Sequence, residues 1–433
     1  MAAIENKSAM NRARHRSLIG LALAIVVFAL VALVLPSGAL GSTHSTARSV
    51  AMGGAYTSLA KGTDAGRFNP ANLGLTDYRQ TGIELVGIGV NVSNNAFDLS
   101  DYNKYTGALL TDADKSDILD KIPTDGLKLD VDAQAEAMSI ATGPYALNIT
   151  GVGVADINLS KDIFELAFNG NTFADTIDVT GSYSDVYAYA SAGLSYGMAI
   201  YGSGTRQLAV GATFRYIRGI AVEQVVELQG MAATYATGFA GDGRMIVQTA
   251  TGGRGYALDL GAALQLNSSY TLGARIENLI GSINWDHETE EHGYIFSFDT
   301  MTVDNMEDDY VVSDDYTKSI GSFTTRLPAS LTVGFAKTSG SLLWAVDWRQ
   351  GLHRKPGQST TPQISLGLEW YPIGILPLRG GFTAGGKENT SFSVGSGLDF
   401  GLYYLDYALV TGSSFSGYSS RGLNIAVSTG FHF

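Results

Sequence analysis

Residues Gly422 to Phe433, GLNIAVSTGFHF, alternate without a break. Leu423, Ile425, Val427, Thr429, Phe431 and Phe433 fall on one side, and Asn424, Ala426, Ser428, Gly430 and His432 on the other. A period of two is the geometry of a β-strand. One apolar face backed by small or polar residues is what a strand requires when lipid lies on one side of it and a wet lumen on the other. A strand of this kind closed by an aromatic residue is also how outer-membrane barrels end, which makes Phe433 the expected contact for barrel assembly machinery and membrane lipid an expected partner.

The same pattern recurs from about residue 82 onward, in segments of roughly ten residues separated by turns. Leu208, Val210, Ala212, Phe214 and Tyr216 form an apolar face while Gln207, Gly211, Thr213 and Arg215 look the other way. Tyr256, Leu258, Leu260, Ala262, Leu264 and Leu266 alternate in the same way with Asp259, Gly261, Gln265 and Asn267. A basic residue on the lipid face at mid-bilayer would cost about 2 to 4 kcal/mol, and an acid somewhat less. Arg215, Asp259, Arg275, Glu277 and Glu369 are therefore expected to line the interior. A soluble β-sandwich or propeller would alternate too, with the apolar face turned to a core. The secretory-type N-terminus, the aromatic end and short turns such as Asn267-Ser268-Ser269 separate the two readings. The expected fold is all-β, a transmembrane antiparallel barrel of about 14 strands, with candidate strands allowing up to 17 and closure favouring an even number.

Composition agrees with that fold. The 433 residues include 53 glycines, 22 tyrosines and 18 phenylalanines, and only 16% are charged. Small residues fit a crowded lumen or a bent wall, and tyrosine and phenylalanine suit the membrane interfaces. Mean hydropathy of +0.08 is no objection, because half of each barrel strand faces water. Cysteine is absent, which excludes disulfides and thiolate metal sites. Arg12, Arg14 and Arg16 precede an apolar run from Leu18 to Leu35, followed by Pro36-Ser37-Gly38-Ala39. This is the order of a secretory signal, expected to span residues 1–39 with cleavage near Ala39 or Gly41. The run is also long enough for a retained membrane anchor. Removing residues 1–39 deletes four Lys+Arg and one Glu, so the net charge of -13 becomes -16. A chain that acidic, without a basic patch, excludes nucleic acid as a partner. The expected location is the outer membrane of a Gram-negative-type cell.

Three acidic stretches interrupt the rhythm and are expected as external loops: about 98–132, 285–291 and 302–317. The first contains Thr111 to Ile122, which reads as a short capped helix with Ile118, Leu119 and Ile122 on one side.

Between the signal and the first strand, residues 40–80 are expected to form a hatch. The segment holds Met52-Gly53-Gly54-Ala55-Tyr56-Thr57-Ser58-Leu59-Ala60, then Asp64-Ala65-Gly66-Arg67-Phe68-Asn69-Pro70-Ala71-Asn72-Leu73-Gly74. It is too polar and glycine-rich to cross lipid, its small residues allow close backbone packing, and Pro70 pins a turn while pushing Asn69 out of the α region. The pattern resembles the N-terminal region of FadL-type long-chain fatty-acid channels and of the related PorV-type outer-membrane proteins. Within that group it is most similar to a Bacteroidetes-type branch, on Asn94-Asn95, Asp101 to Gly107 and Ile118-Leu119. Glu277-Asn278-Leu279, Arg326 to Leu331 and Leu378 to Phe382 are similar to barrel segments of the same families. The resemblance implies a hatch in the lumen held partly by Asn69, Pro70 and Ala71, and passage of hydrophobic molecules through a lateral opening made by an inward strand kink. Asn69, Arg67 and Asp64 are the expected gating residues, facing lumen charges such as Arg215, Asp259, Arg275 and Glu277.

Other constellations carry less. No histidine stands beside a nucleophile and an acid at a recognisable spacing, so no catalytic residues are assigned. Asp286-His287-Glu288 and Glu290-Glu291-His292 gather two imidazoles and four carboxylates, a set able to bind a divalent metal, but charge runs in loops are usually solvated. Asp112, Asp114 and Ser116 begin like a calcium loop, yet Asp117 stands where glycine belongs and Pro123 where the bidentate Glu belongs. Gly151-Val152-Gly153 and Gly87-Ile88-Gly89 lack the helix and third glycine of a nucleotide site. No metal or cofactor is expected. Two functions remain. One is passive transport of small, fatty-acid-like hydrophobic molecules by hatch and lateral opening. The other is a PorV-like barrel that docks a secreted or surface protein. Transport predicts a continuous apolar path from loops to hatch; docking predicts a sealed lumen and large ordered loops.

Overall fold

The computed structural model describes residues 46–170, 176–236, 238–301, 311–387, 390–412 and 419–433. The expected signal (1–39), its alternative as an anchor, and residues 302–310 of the third expected loop lie outside them.

From the N-terminal segment the chain enters β1 (Gly82–Asn94), returns through β2 (Leu127–Thr142) and continues as β3 (Tyr145–Leu159), the short β4 (Thr176–Asp178) and the hairpin β5 (Tyr183–Ser203) and β6 (Arg206–Tyr235). Next come β7 (Gly238–Ala250), β8 (Gly252–Gln265), β9 (Tyr270–His287), β10 (Glu290–Met301), β11 (Val311–Ser319) and the short β12 (Phe323–Arg326). The ring is completed by β13 (Ser330–Ser339), β14 (Leu342–Gly351), β15 (Gln363–Ile373), β16 (Leu376–Gly385), β17 (Thr390–Asp399), β18 (Tyr403–Gly412) and β19 (Gly422–His432).

Fourteen of these strands pair in antiparallel order around a closed barrel: β1, β2, β3, β5, β6, β8, β9 and β13 to β19. β19 returns to β1 with Gly82 opposite His432 and Ile83 opposite Phe431. Closure matters because an unpaired backbone group in hydrocarbon costs several kcal/mol, and only a sheet without edges avoids it. The side-chain period then sorts the wall. In β19, Asn424, Ala426 and Ser428 are buried, while Ile425 and Val427 are 49% and 43% exposed on the outside. Leu194, Phe214, Leu260, Leu366 and Leu409 extend the same outward apolar surface over other strands.

The other strands prolong one side of the wall. β6 runs for 30 residues, about 100 Å of extended chain at 3.3 Å per residue, whereas about 9–11 residues suffice to cross a bilayer. Beyond the barrel its far half pairs with β7 and β4, β7 pairs with β10, and β10 with β11. β12 continues along β9. The turns at the opposite end are short, as between β2 and β3 or β13 and β14, so the projecting sheet belongs to the external side.

This corrects two of the expected loops. Residues 285–291 are mostly strand, the end of β9 and the start of β10, and residues 311–317 lie in β11. Above the bilayer both faces of a strand meet water, so the alternation that marks the barrel strands fades and acidic residues become tolerable. The 98–132 stretch holds two helices, Leu99–Tyr105 and Asp112–Lys121, each with a capping box, before β2 begins at Leu127. Ile118 and Ile122 from the second pack with Ala96 under Phe97, Phe164 and Phe168.

Replacing outward Val427 by Arg should cost about 2 to 4 kcal/mol of stability in vesicles, read as a lower urea midpoint. Wild-type stability in Val427→Arg would mean that the faces of β19 are assigned the wrong way round.

Candidate functional site

The lumen at the short-turn end is filled by residues 46–80. A five-residue helix, Ala47–Ala51, is capped by Thr46, whose hydroxyl accepts the Ser49 N–H at 3.2 Å. Gly53 and Gly54 follow with φ of +64° and +82°, a backbone that glycine adopts without strain. A second helix, Gly62–Phe68, leads to Asn69, which caps the 3-10 turn Pro70–Gly74 by accepting the Ala71 N–H at 3.2 Å. Asn69 also donates to the Ala262 carbonyl at 3.1 Å, and Asn72 donates to the carbonyls of Thr57 and Ala60. Both asparagines are fully buried.

The wall accepts this insert through two rows of glycines. Gly197, Gly211 and Gly261 stand opposite one another across β5, β6 and β8. A Cβ at any of them would collide with the hatch: with Gly74 and Pro70 at Gly197, with Pro70 and Ala71 at Gly211, and with Asn69 at Gly261. On the far side Gly367, Gly381 and Gly395, across β15 to β17, make the same room for Met52, Gly53 and Ala51. Hydrogen bonds fix the seating. The Gly66 carbonyl accepts from Thr213 at 2.9 Å, the Gly53 carbonyl accepts from Thr383 at 2.9 Å, and buried Asp347 accepts the N–H groups of Tyr56 and Thr57 at 3.0 and 2.9 Å.

Charge is matched across the same boundary. Arg67, 6% exposed, pairs with Asp64 and Glu84 at 2.7 Å each and with Glu136. Burial works against its cation, but Glu84 and Asp64 outweigh it and hold the guanidinium above its usual pKa. Arg48 reaches Glu369 at 2.6 Å, and Glu369 shares Arg379 with Asp406. Burial pushes the Tyr56 phenol well up, which keeps it a hydroxyl donating to Asp64 at 2.7 Å.

One layer above the hatch lie the four wall charges singled out in the sequence. Arg215 and Arg275 pair with Asp259 at 2.9 and 2.8 Å, and Glu277 lies 3.6 Å from both Arg275 and Arg349. The sequence reading made these four the contacts of Asn69, Arg67 and Asp64. The ion pairs of Arg67 and Asp64 instead stay within the group formed with Glu84 and Glu136, and the four charges pair with one another. The two groups meet around a cavity of about 40 Å³ that Gly66, Arg67, Arg215, Asp259 and Glu277 help to line.

Alternation cannot show what this layer supports. Three residues of β9, Glu277 to Leu279, stand opposite Asp259 alone, because Leu258 pairs with Ile280 and Leu260 with Ile276. On its other side β9 breaks from β12 and β13 at the same level, between the pairs Ser282–Arg326 and Glu277–Ser330. Asn278, at φ +49°, bridges the break. Its N–H donates to Asp259 at 2.8 Å, its oxygen accepts from Arg215 at 2.5 Å, and its amide donates to the Pro328 carbonyl at 2.7 Å. Leu327 adds a backbone bond to Gly281 at 3.0 Å. Above the break Val154, Tyr187, Tyr189, Ile217, Ile283 and Trp285 pack into a buried apolar cluster, the neck. Trp285, which the sequence placed in a loop, lies over Gly219 and donates to Thr325 at 2.9 Å. His287 and His292 meet threonine hydroxyls, and among the described residues no cluster of three metal-ligating side chains is formed.

The family described as one of unknown function, DUF5723, matches residues 70–230 and 222–406. The chain belongs to that family. No curated protein matches it in sequence. Among solved structures, a mutant of the TodX monoaromatic hydrocarbon channel is 16% identical, with a TM-score of 0.53 and coverage of 90% of this chain and 99% of that one. The toluene transporter TodX of P. putida gives 14% and 0.52 over the same shares. A FadL homologue of Pseudomonas aeruginosa gives 10% and 0.51, covering 92% and 99%. At these identities the likeness is one of fold: this DUF5723 member has the FadL-type barrel architecture that its N-terminal motif resembles.

Removing one side of a buried ion group leaves the other uncompensated, at about 3–5 kcal/mol. Arg67→Ala, which strands Glu84 and Glu136, should therefore lower the urea midpoint far more than Arg67→Lys. Near-equal midpoints would remove Arg67 as the hatch's anchor. Replacing Asn69 and Pro70 together by Ala should loosen the hatch and raise sensitivity to large antibiotics. Unchanged sensitivity in a well-assembled variant would count against sealing by this turn.

Proposed function

We propose that the barrel sits in the outer membrane and lets small apolar molecules pass inward by diffusion, leaving sideways through the break between β9 and β13 while the hatch stays in place. No bond is made or broken. The carrying observation is that the neck and the break share one small cavity, lined by Val152, Val154, Tyr187 and Tyr189, by Asn278 and Pro328, and toward the hatch by Arg67, Arg215, Asp259 and Glu277.

The physical case for a fixed hatch is its anchorage. Moving it would strip Glu84 and Glu136 of Arg67 inside the barrel and leave Glu369 only the Arg379 it shares with Asp406, a strongly unfavourable exchange. Among the described residues the hydrogen bonds that span the break are that of the Asn278 amide to Pro328 and that of Leu327 to Gly281, with Leu327 packed into the neck. A cavity of about 40 Å³ holds a few water molecules at most, so the present state is closed. The path is also not apolar throughout, as the sequence reading of transport required, because polar side chains line the outer compartments. What the neck and the break support is an apolar step at the level of the membrane. The solved channels of the same fold, described as passing toluene and monoaromatic hydrocarbons, agree with a substrate of that size.

A lock tests the route. A Cβ built on Gly281 stands 3.3 Å from that of Leu327, close to the separation a disulfide spans, and the chain has no other cysteine. Gly281→Cys combined with Leu327→Cys should abolish uptake of labelled toluene or a labelled medium-chain fatty acid when oxidised, down to the level of cells without the barrel, and recover on reduction. Full uptake in the oxidised form would exclude the lateral route. No uptake above background even by the wild type would exclude transport of these molecules.

A further inference from the structure

External to the neck the lumen opens into a compartment of about 480 Å³, well within the size of small-molecule sites. Among the described residues its lining contains no aliphatic side chain; serines, threonines, asparagines and a glutamine face it together with four cations and two carboxylates. In a chain of net charge -13 that balance is locally inverted.

The carboxylates are already engaged. Lys387 pairs with Asp130 and, at 3.3 Å, with Asp156, which also accepts the Tyr183 hydroxyl at 3.1 Å. The guanidiniums are not. Arg354, beyond β14, and Arg421, before β19, form no ion pair among the described residues; Arg421 donates to the Asn95 carbonyl at 3.2 Å and Arg354 lies beside Tyr183. The compartment thus offers two charged forks and spare polar groups, and nothing for an alkyl tail.

We propose that this compartment binds a hydroxylated carboxylate of monosaccharide size, its carboxylate held by Arg354 and Arg421 and its hydroxyls by Ser359, Thr360 and Thr361. Guanidinium forks match carboxylate geometry and form the stronger, charge-assisted class of hydrogen bond. A neutral sugar would leave both forks unanswered. A fatty acid would place its tail against amides and hydroxyls. The site does not depend on the transport reading, because binding is measured with nothing crossing a bilayer, and either can fail alone.

The test is calorimetric titration of the full-length barrel in detergent micelles with glucuronate, glucose, hexanoate and inorganic phosphate. Glucuronate should bind saturably and at least about tenfold more tightly than glucose or hexanoate, the margin expected of charge-assisted hydrogen bonds plus hydroxyl contacts. Arg354→Gln with Arg421→Gln should bring glucuronate down to the level of glucose while the barrel still migrates differently heated and unheated. Equal affinity for glucose, for hexanoate or for phosphate would overturn the proposal, as would no glucuronate binding by the wild type or full affinity in the double variant. If that variant fails to assemble, the four-probe comparison on the wild type still decides.

Discussion

The group formed by Arg67, Asp64, Glu84 and Glu136 expresses the constraint on which the rest of this structure depends. A wall that turns its apolar half outward to lipid turns its polar half inward, and a polar interior must be wet or filled. Here it is filled, and carboxylates on β1 and β2 that would be costly alone are answered by a cation carried on the hatch. The pair of Arg48 with Glu369 repeats the solution on the opposite wall. Buried ion groups of this sort are weak evidence of net stability, because desolvation offsets most of their attraction. Their effect is geometric: only one placement of the hatch answers every charge.

Shape reinforces that placement. Gly197, Gly211 and Gly261 form a groove only because register sets them side by side, and the Pro70–Gly74 turn fits it only because Pro70 and the cap from Asn69 hold the turn. Each half explains the other's composition. The wall's glycines need not serve flexibility; most of the groove positions have ordinary backbone angles and are small because another backbone lies against them.

This division also marks what the sequence can reveal. The lipid-facing alternation of β19, β6 and β8 is legible because two environments lie on either side of one strand, and the fold follows from it. The hatch turn is legible because Asn69-Pro70-Ala71 encodes its conformation locally. The projecting sheet is not, since Glu223 to Gln229 is partly exposed on both faces and loses the contrast that marks a strand. Nor is the break in β9: nothing in Glu277-Asn278-Leu279 announces that Asn278 will adopt a left-handed backbone, because the cause is the distant pair Arg215–Asp259 that holds its N–H and its oxygen. The hatch's wall partners were hidden for a related reason. Glu84 and Glu136 sit at inward positions like many other polar residues, and only the closed ring brings them to Arg67. Arg354 and Arg421 are 67 positions apart in number and line one compartment only in the folded barrel.

Sealing and passage need not be assigned to the same part of such a barrel. The hatch is held by charges whose separation is costly, by backbone packed into glycine grooves and by hydrogen bonds from several strands, all of which must yield together. Among the described residues the break at β9 is spanned by one side-chain amide bond, one backbone bond and the packing of Leu327, at a level where Leu279 and Ile280 are half exposed on the outer face. In the proposed route the weaker closure would open first, toward lipid rather than toward water. An apolar molecule in the neck would gain by that exit, whereas a polar solute would gain nothing and would meet the closed hatch below. The proposed route therefore follows from the difference in strength between two closures that the same group, Arg215 with Asp259, lies between.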